Sequence, residues 1–110
     1  MVTQEELIAN ANELAADFDD LFSRRKLISV LKDVDTALVG ENENGETVVI
    51  SSSESGGMML LTYQNNGWTR TNYYDECGYL EGEMFNGRWK DSDKPTAADP
   101  FKLRISDCVC

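Results

Sequence analysis

The chain has no histidine, and its ten Lys and Arg residues face twenty Asp and Glu, for a net charge of −10 over 110 residues. Without histidine there is no Ser/His/Asp arrangement and no HExxH helix, and a Gly-rich phosphate loop is missing as well. The shortage of bases argues against nucleic acid or an anionic membrane as a direct partner, because either would be repelled across a Debye length of about 8 Å. No apolar run approaches the roughly 18 residues of a membrane helix, and the acidic start Met1-Val2-Thr3-Gln4-Glu5-Glu6 has the wrong sign for a signal peptide. A cytoplasmic protein is expected. Proline occurs only at Pro95 and Pro100, so the loop from Asp91 onward is not expected to form a regular element.

What the chain has is concentrated. Met58 to Lys90 holds seven of the ten aromatic residues: Tyr63, Trp68, Tyr73, Tyr74, Tyr79, Phe85 and Trp89. Its β-rich runs are broken at Asn66-Gly67, Asp75-Glu76-Cys77-Gly78 and Asn86-Gly87, where Asn and Gly accept the positive φ that hairpin turns demand. A four-strand antiparallel meander is predicted. With Gly78 in the left-handed region, Asp75 pairs with Tyr79, placing Trp68, Arg70, Asn72 and Tyr74 on one face with Leu80 and Met84. Thr69, Thr71, Tyr73, Glu81 and Glu83 then face the other way. A two-residue turn at Asn86-Gly87 pairs Met84 with Trp89 inside and Glu83 with Lys90 as an exposed ion pair.

Ahead of the meander, Thr3 and Glu6 have the form of a capping box, so a helix should begin at Gln4. Leu7, Ile8, Ala11, Leu14, Ala15, Phe18, Leu21 and Phe22 draw one apolar stripe at helical spacing. The opposite face is acidic, and no base appears before Arg24. Ser23 is a candidate cap for a second short helix through Leu27, Ile28, Leu31 and Val34, although Leu27 to Leu31 also suits a strand. From Thr36 the period changes: Thr36–Val39 and Glu46–Ile50 read as strands joined by a hairpin at Asn44-Gly45. Ser51 to Gly57 reads as a flexible connection. Phe101, Leu103 and Ile105 alternate with polar residues as a last half-buried strand. The expected fold is α+β in a single domain. One N-terminal helix or two (4–35) pack on an antiparallel meander of about five to seven strands (36–106).

Cys77, Cys108 and Cys110 fall short of the four N or S ligands of a structural zinc site, and free thiols are the simpler reading. No metal or cofactor is expected. Glu81 and Glu83 share a strand face, but paired carboxylates do acid-base work only in a cleft that splits their pKa values. An enzyme is not expected.

The run from Asn66 to Trp89, NGWTRTNYYDECGYLEGEMFNGRW, resembles small uncharacterised accessory proteins of bacterial phages and mobile elements. The resemblance implies a setting in which small acidic proteins inhibit host defence enzymes, anti-CRISPR proteins among them. Charge and this setting together suggest an acidic inhibitor that occupies the basic surface of a nucleic-acid-binding protein. Its contacts are expected at Glu76, Glu81, Glu83, Asp91 and Asp93 of the meander edge and at Glu41, Glu43 and Glu46 of the first hairpin, with Tyr73 and Tyr79 as aromatic anchors. The alternative is a structural or self-associating module, a homodimer through an open sheet edge being the simplest form.

Overall fold

The computed structural model describes residues 3–34, 36–65, 67–85, 88–89 and 102–109, with residues 88, 89 and 109 as backbone only. Two helices, α1 (Gln4–Ala15) and α2 (Leu21–Val34), precede six meandering strands: β1 (Ala37–Glu41), β2 (Thr47–Ser52), β3 (Met58–Tyr63), β4 (Thr69–Tyr74), β5 (Leu80–Phe85) and β6 (Arg88–Trp89). The last strand, β7 (Arg104–Val109), pairs with the free side of β1. All pairings are antiparallel, in the order β6-β5-β4-β3-β2-β1-β7. This is the expected α+β architecture, with two helices and seven strands among the described residues.

Thr3 caps α1 as its spacing predicts, its Oγ1 accepting the Glu6 N–H at 3.1 Å. Leu7, Ala11 and Ala15 form the buried stripe. The stripe does not continue into one long helix to Phe22. Asp17, Asp19 and Asp20 stand where the helix dipole is negative, and aspartate bonds its own backbone more readily than it extends a helix. The chain turns there. Asp20, not Ser23, caps α2, its carboxylate accepting the Ser23 N–H at 3.1 Å. Phe18 swings into the core and meets the Tyr74 ring edge-on at 5.4 Å between centroids. Leu27, Ile28 and Leu31 are buried at helical spacing, which settles that stretch as helix.

Four hairpins share one construction. In the turns 42–46, 53–57, 64–68 and 75–79, the first N–H donates to the fifth carbonyl, and the N–H of the fourth residue donates back to the first carbonyl. That fourth residue is Gly45, Gly56, Gly67 or Gly78, at φ from 75° to 96°. Ser53 to Gly57 is therefore a hairpin turn of the same kind as its neighbours, and Ser51 and Ser52 belong to β2. The serine-rich stretch reads as a linker by composition, but a glycine in the right place is all the turn requires.

Both helices lie on one side of the sheet, α1 against β7 and α2 against β2. Asn12 Oδ1 accepts the Ile105 N–H at 3.0 Å, and the Ala15 carbonyl accepts the Leu103 N–H, so α1 helps position the last strand. On this side, cross-strand neighbours run Cys108, Leu38, Ile50, Leu60, Asn72, Glu83 in one row and Ile105, Gly40, Val48, Thr62, Arg70, Phe85 in the next. The inner face is apolar from β7 to β3, Thr62 excepted, and becomes polar at β4 and β5 with Arg70, Asn72 and Glu83.

The basic cluster on α2 pins the sheet to the helices. Arg24 donates from Nε to the Gly78 carbonyl (2.7 Å) and from Nη1 to the Phe18 carbonyl (2.8 Å), with its guanidinium 5.5 Å from the Tyr74 ring centre. Arg25 donates to the Cys77 carbonyl at 2.8 Å. Gly78 thus carries two demands. Its φ is +89°, and a Cβ there would lie 3.1 Å from Leu21 Cδ1 and 3.3 Å from Arg24 Cβ. Gly78→Val should cost about 2 to 4 kcal/mol. Gly45→Val, at a similar φ with open space around it, should cost only about 1 to 2 kcal/mol. Equal losses in urea unfolding of the two variants would mean that the clamp on the β4–β5 turn contributes nothing.

Candidate functional site

The antiparallel meander sends the hairpin turns alternately to two ends of the sheet, and the carboxylates go with them. At the first end, Glu41, Glu43 and Glu46 flank the β1–β2 turn. Glu46 Oε1 accepts the Asn42 side-chain amide (2.9 Å), and Oε2 accepts the Asn65 N–H of the neighbouring β3–β4 turn (2.8 Å). These bonds, Asn42's foremost and then Asn65's, hold the Glu46 carboxyl below its ordinary value of 4.5. At the second end, Glu54 lies in the β2–β3 turn and Asp75 and Glu76 in the β4–β5 turn. Asp75 Oδ1 accepts the N–H groups of Cys77 and Tyr79, both at 2.9 Å, so it shapes the turn while keeping its charge. Glu81 is exposed on β5 close to this end.

Six-residue strands at about 3.3 Å per residue put the two ends about 20 Å apart. The expected contact residues therefore form two groups, not one patch. Between Thr36 and Phe85 the described residues carry seven acids besides Glu83, namely Glu41, Glu43, Glu46, Glu54, Asp75, Glu76 and Glu81, and one base, Arg70. Arg25 softens the second end, and Arg104 stands across from Glu41 at the first. Each group has exposed aromatic rings beside it: Tyr63 and Trp68 at the first end, Tyr79 and Phe22 at the second, all 49% exposed or more. Tyr63, Trp68 and Phe22 were not expected as surface aromatics, since alternation alone places an aromatic ring in the core by default. Tyr73 is half-buried on the sheet face away from the helices, its hydroxyl 3.5 Å from Met84 Sδ. Asp91 and Asp93 lie outside the described residues.

Glu83 does not lie where strand alternation places it. It was expected on the solvent face beside Lys90; it is 3% exposed on the helix side, and Lys90 lies outside the described residues. Tyr74 pairs with Leu80 as the turn predicts, but the next pair is Tyr73 with Gly82, leaving Glu81 as an extra residue in a bulge. Every later side chain on β5 changes face: Glu83 turns inward, and Met84 turns outward against Thr71. The Met84 to Trp89 pairing expected from the following turn holds. Inside, Glu83 Oε1 meets Arg70 Nη2 at 2.9 Å, with the Asn72 amide at 3.4 Å, and the Arg70 guanidinium lies 5.8 Å from the Phe85 ring centre. Arg70 Nε, Asn72 Oδ1 and the Tyr74 hydroxyl have no hydrogen-bond partner among the described residues. Burial pushes the Tyr74 phenol well above its usual range, against the pull of Arg24 and Arg70. Two signals for this inward turn were in the sequence: a glycine inside a strand, Glu81-Gly82-Glu83, and two polar residues, Arg70 and Asn72, on a face otherwise apolar.

Cys77 is exposed, as a free thiol, and Cys108 is buried; Cys110 lies outside the described residues. Among the described residues no group of three or more His, Cys, Asp or Glu is placed to hold a metal ion. No family model, no curated protein and no solved structure matches the chain.

Glu83→Lys should cost about 3 to 5 kcal/mol, because it leaves Arg70 buried beside a second cation, whereas Glu81→Lys should change stability by about 0.5 kcal/mol or less. Replacing both partners, Arg70→Met with Glu83→Leu, should restore most of the loss in urea unfolding. Glu46 adds a pH dependence. Its folded pKa is depressed, so its stabilisation is present above 4.5 and is lost as pH falls from there through the folded value. Glu46→Gln should flatten that part of the acid-unfolding profile relative to the parent protein.

Proposed function

We propose that this is a binding protein, not an enzyme, whose carboxylates engage the Lys/Arg-rich surface of a nucleic-acid-binding protein and exclude the polyanion that belongs there. The supporting observation is the charge of the sheet: of the bases between Thr36 and Phe85, the described residues hold only Arg70, and it is consumed by Glu83. Carboxylate groups about 20 Å apart, each with exposed aromatic rings, suit an extended basic surface better than a single pocket. The working contacts are Glu41 and Glu43 with Tyr63 and Trp68 at one end, and Glu54, Glu76 and Glu81 with Tyr79 at the other. Glu83 has no part in them. The resemblance of the run from Asn66 to Trp89 to phage and mobile-element accessory proteins is the ground for seeking the partner among host defence enzymes, in an anti-CRISPR-like role in the cytoplasm. No helix among the described residues is long and apolar enough to cross a membrane.

The test takes a basic partner recovered by pull-down from cells that carry defence nucleases and reconstitutes the complex from purified components. Affinity should fall by about tenfold or more between 50 and 200 mM salt, since steered complexes of opposite charge are screened. Pre-bound DNA or RNA should block the protein, and bound protein should block nucleic acid. The combined reversal Glu41→Lys, Glu43→Lys, Glu76→Lys and Glu81→Lys should abolish binding with little loss of stability, because exposed charges contribute about 0 to 1 kcal/mol each to folding. A ternary complex whose affinity ignores salt and these reversals would leave the structural or self-associating module as the better reading.

A further inference from the structure

The sheet face away from the helices is as continuous as the one they cover. Val39, Val49, Leu61, Thr71 and Met84 are successive cross-strand partners in one row, and Ser51, Met59, Tyr73 and Gly82 form the next. Neither row has a charged side chain from β1 to β5, and the apolar members are only half-buried. Four strand spacings make this surface about 19 Å wide. Both helices pack on the opposite face, and no described element covers this one. A face of this kind, uncharged at its centre with carboxylates at both ends, is the pattern of an interaction surface with a hydrophobic core and a polar rim.

We infer that this face receives an amphipathic helix of the partner lying along β3 and β4, its apolar stripe on Met59, Leu61 and Tyr73 and its flanking Lys or Arg side chains reaching Glu41, Glu43 and Glu54, Glu76 at the two ends. The inference rests on the reading of the protein as an acidic binder and adds the apolar centre that charge alone does not supply. A helix of about 14 residues spans about 20 Å, the separation of the two acidic ends. A second copy of this chain is the poorer occupant, because face-to-face association would bring together two proteins of net charge −10.

The probe is a synthetic Leu/Lys peptide of about 14 residues patterned as an amphipathic helix, compared with a peptide of the same composition scrambled so that no apolar stripe forms. The patterned peptide should bind about tenfold more tightly or better, the worth of burying one large aliphatic side chain. Leu61→Arg should weaken it by about tenfold, while Ser29→Arg, an equal charge change on exposed α2, should alter it by about twofold or less. In the unmutated protein, methyl resonances of Met59 and Met84 should shift on binding while that of buried Met58 stays, a readout that does not depend on how well Leu61→Arg folds. Equal affinity for both peptides, or binding that leaves Met59 and Met84 unmoved, would overturn the inference while leaving the charge-based reading intact. A dimer of the free protein that Leu61→Arg dissolves would overturn it in favour of self-association. Failure of both peptides to bind would remove this inference and count against the acidic-binder reading as well.

Discussion

A carboxylate inside a protein is tolerable only with a cation and donors around it, and the Arg70–Glu83 pair is the point on which the sheet's register turns. Glu83 reaches Arg70 only because Glu81 bulges out of β5. If β5 paired without the bulge, Met84 would face the helices, Glu83 would face solvent, and Arg70 would lie on the inner face with no acid opposite. Removing either partner leaves an uncompensated charge in a site nearly closed to water, a larger penalty than the pair's own net contribution. The pair therefore discriminates between registers, whatever it adds to stability. It also explains why the inner face is apolar from β7 to β3 and polar beyond, with Thr62 and Asn72 buried around it.

The second constraint is at the junction of helix and turn. Arg24 follows the acidic end of α1, but two of its nitrogens are committed to carbonyls of Phe18 and Gly78, and its guanidinium lies over the Tyr74 ring. One side chain joins the α1–α2 turn, the β4–β5 turn and the largest buried aromatic ring. The only basic cluster in the first half of the chain is thus spent on holding the fold, and little of it is left to offset the sheet's acids.

What was legible from the sequence was local. Thr3 with Glu6 marked the start of α1, alternating apolar residues marked the strands, and glycine after polar residues marked three of the four five-residue turns, because each signal lies within a few residues of its effect. What was missed involved competition between levels. Asp17 to Asp20 interrupt an apolar stripe that by spacing alone would run to Phe22. Ser53 to Gly57 has a linker's composition and a hairpin's glycine. The bulge at Glu81 exchanges the faces of Glu83 and Met84, and its reason, an arginine thirteen residues earlier, is evident only once the strands are paired. The candidate contact residues divided for the same reason: sequence shows that acids lie in turns, whereas the alternation of a meander decides that they gather at two ends.

That division changes what kind of partner the charge describes. A single acidic patch is satisfied by any compact basic site, and its attraction is lost steeply as salt rises. Two acidic ends about 20 Å apart, bordering an uncharged apolar face, ask for a partner with bases at matching separation and apolar groups between them. Charge then governs the rate and orientation of encounter, while the centre governs how long the complex lasts. Nucleic acid offers nothing to such a centre, so under the proposed function mimicry of its phosphates would account for only part of the surface. Under that proposal the rest would serve protein recognition, with the apolar middle separating one basic partner from the many that charge alone would admit.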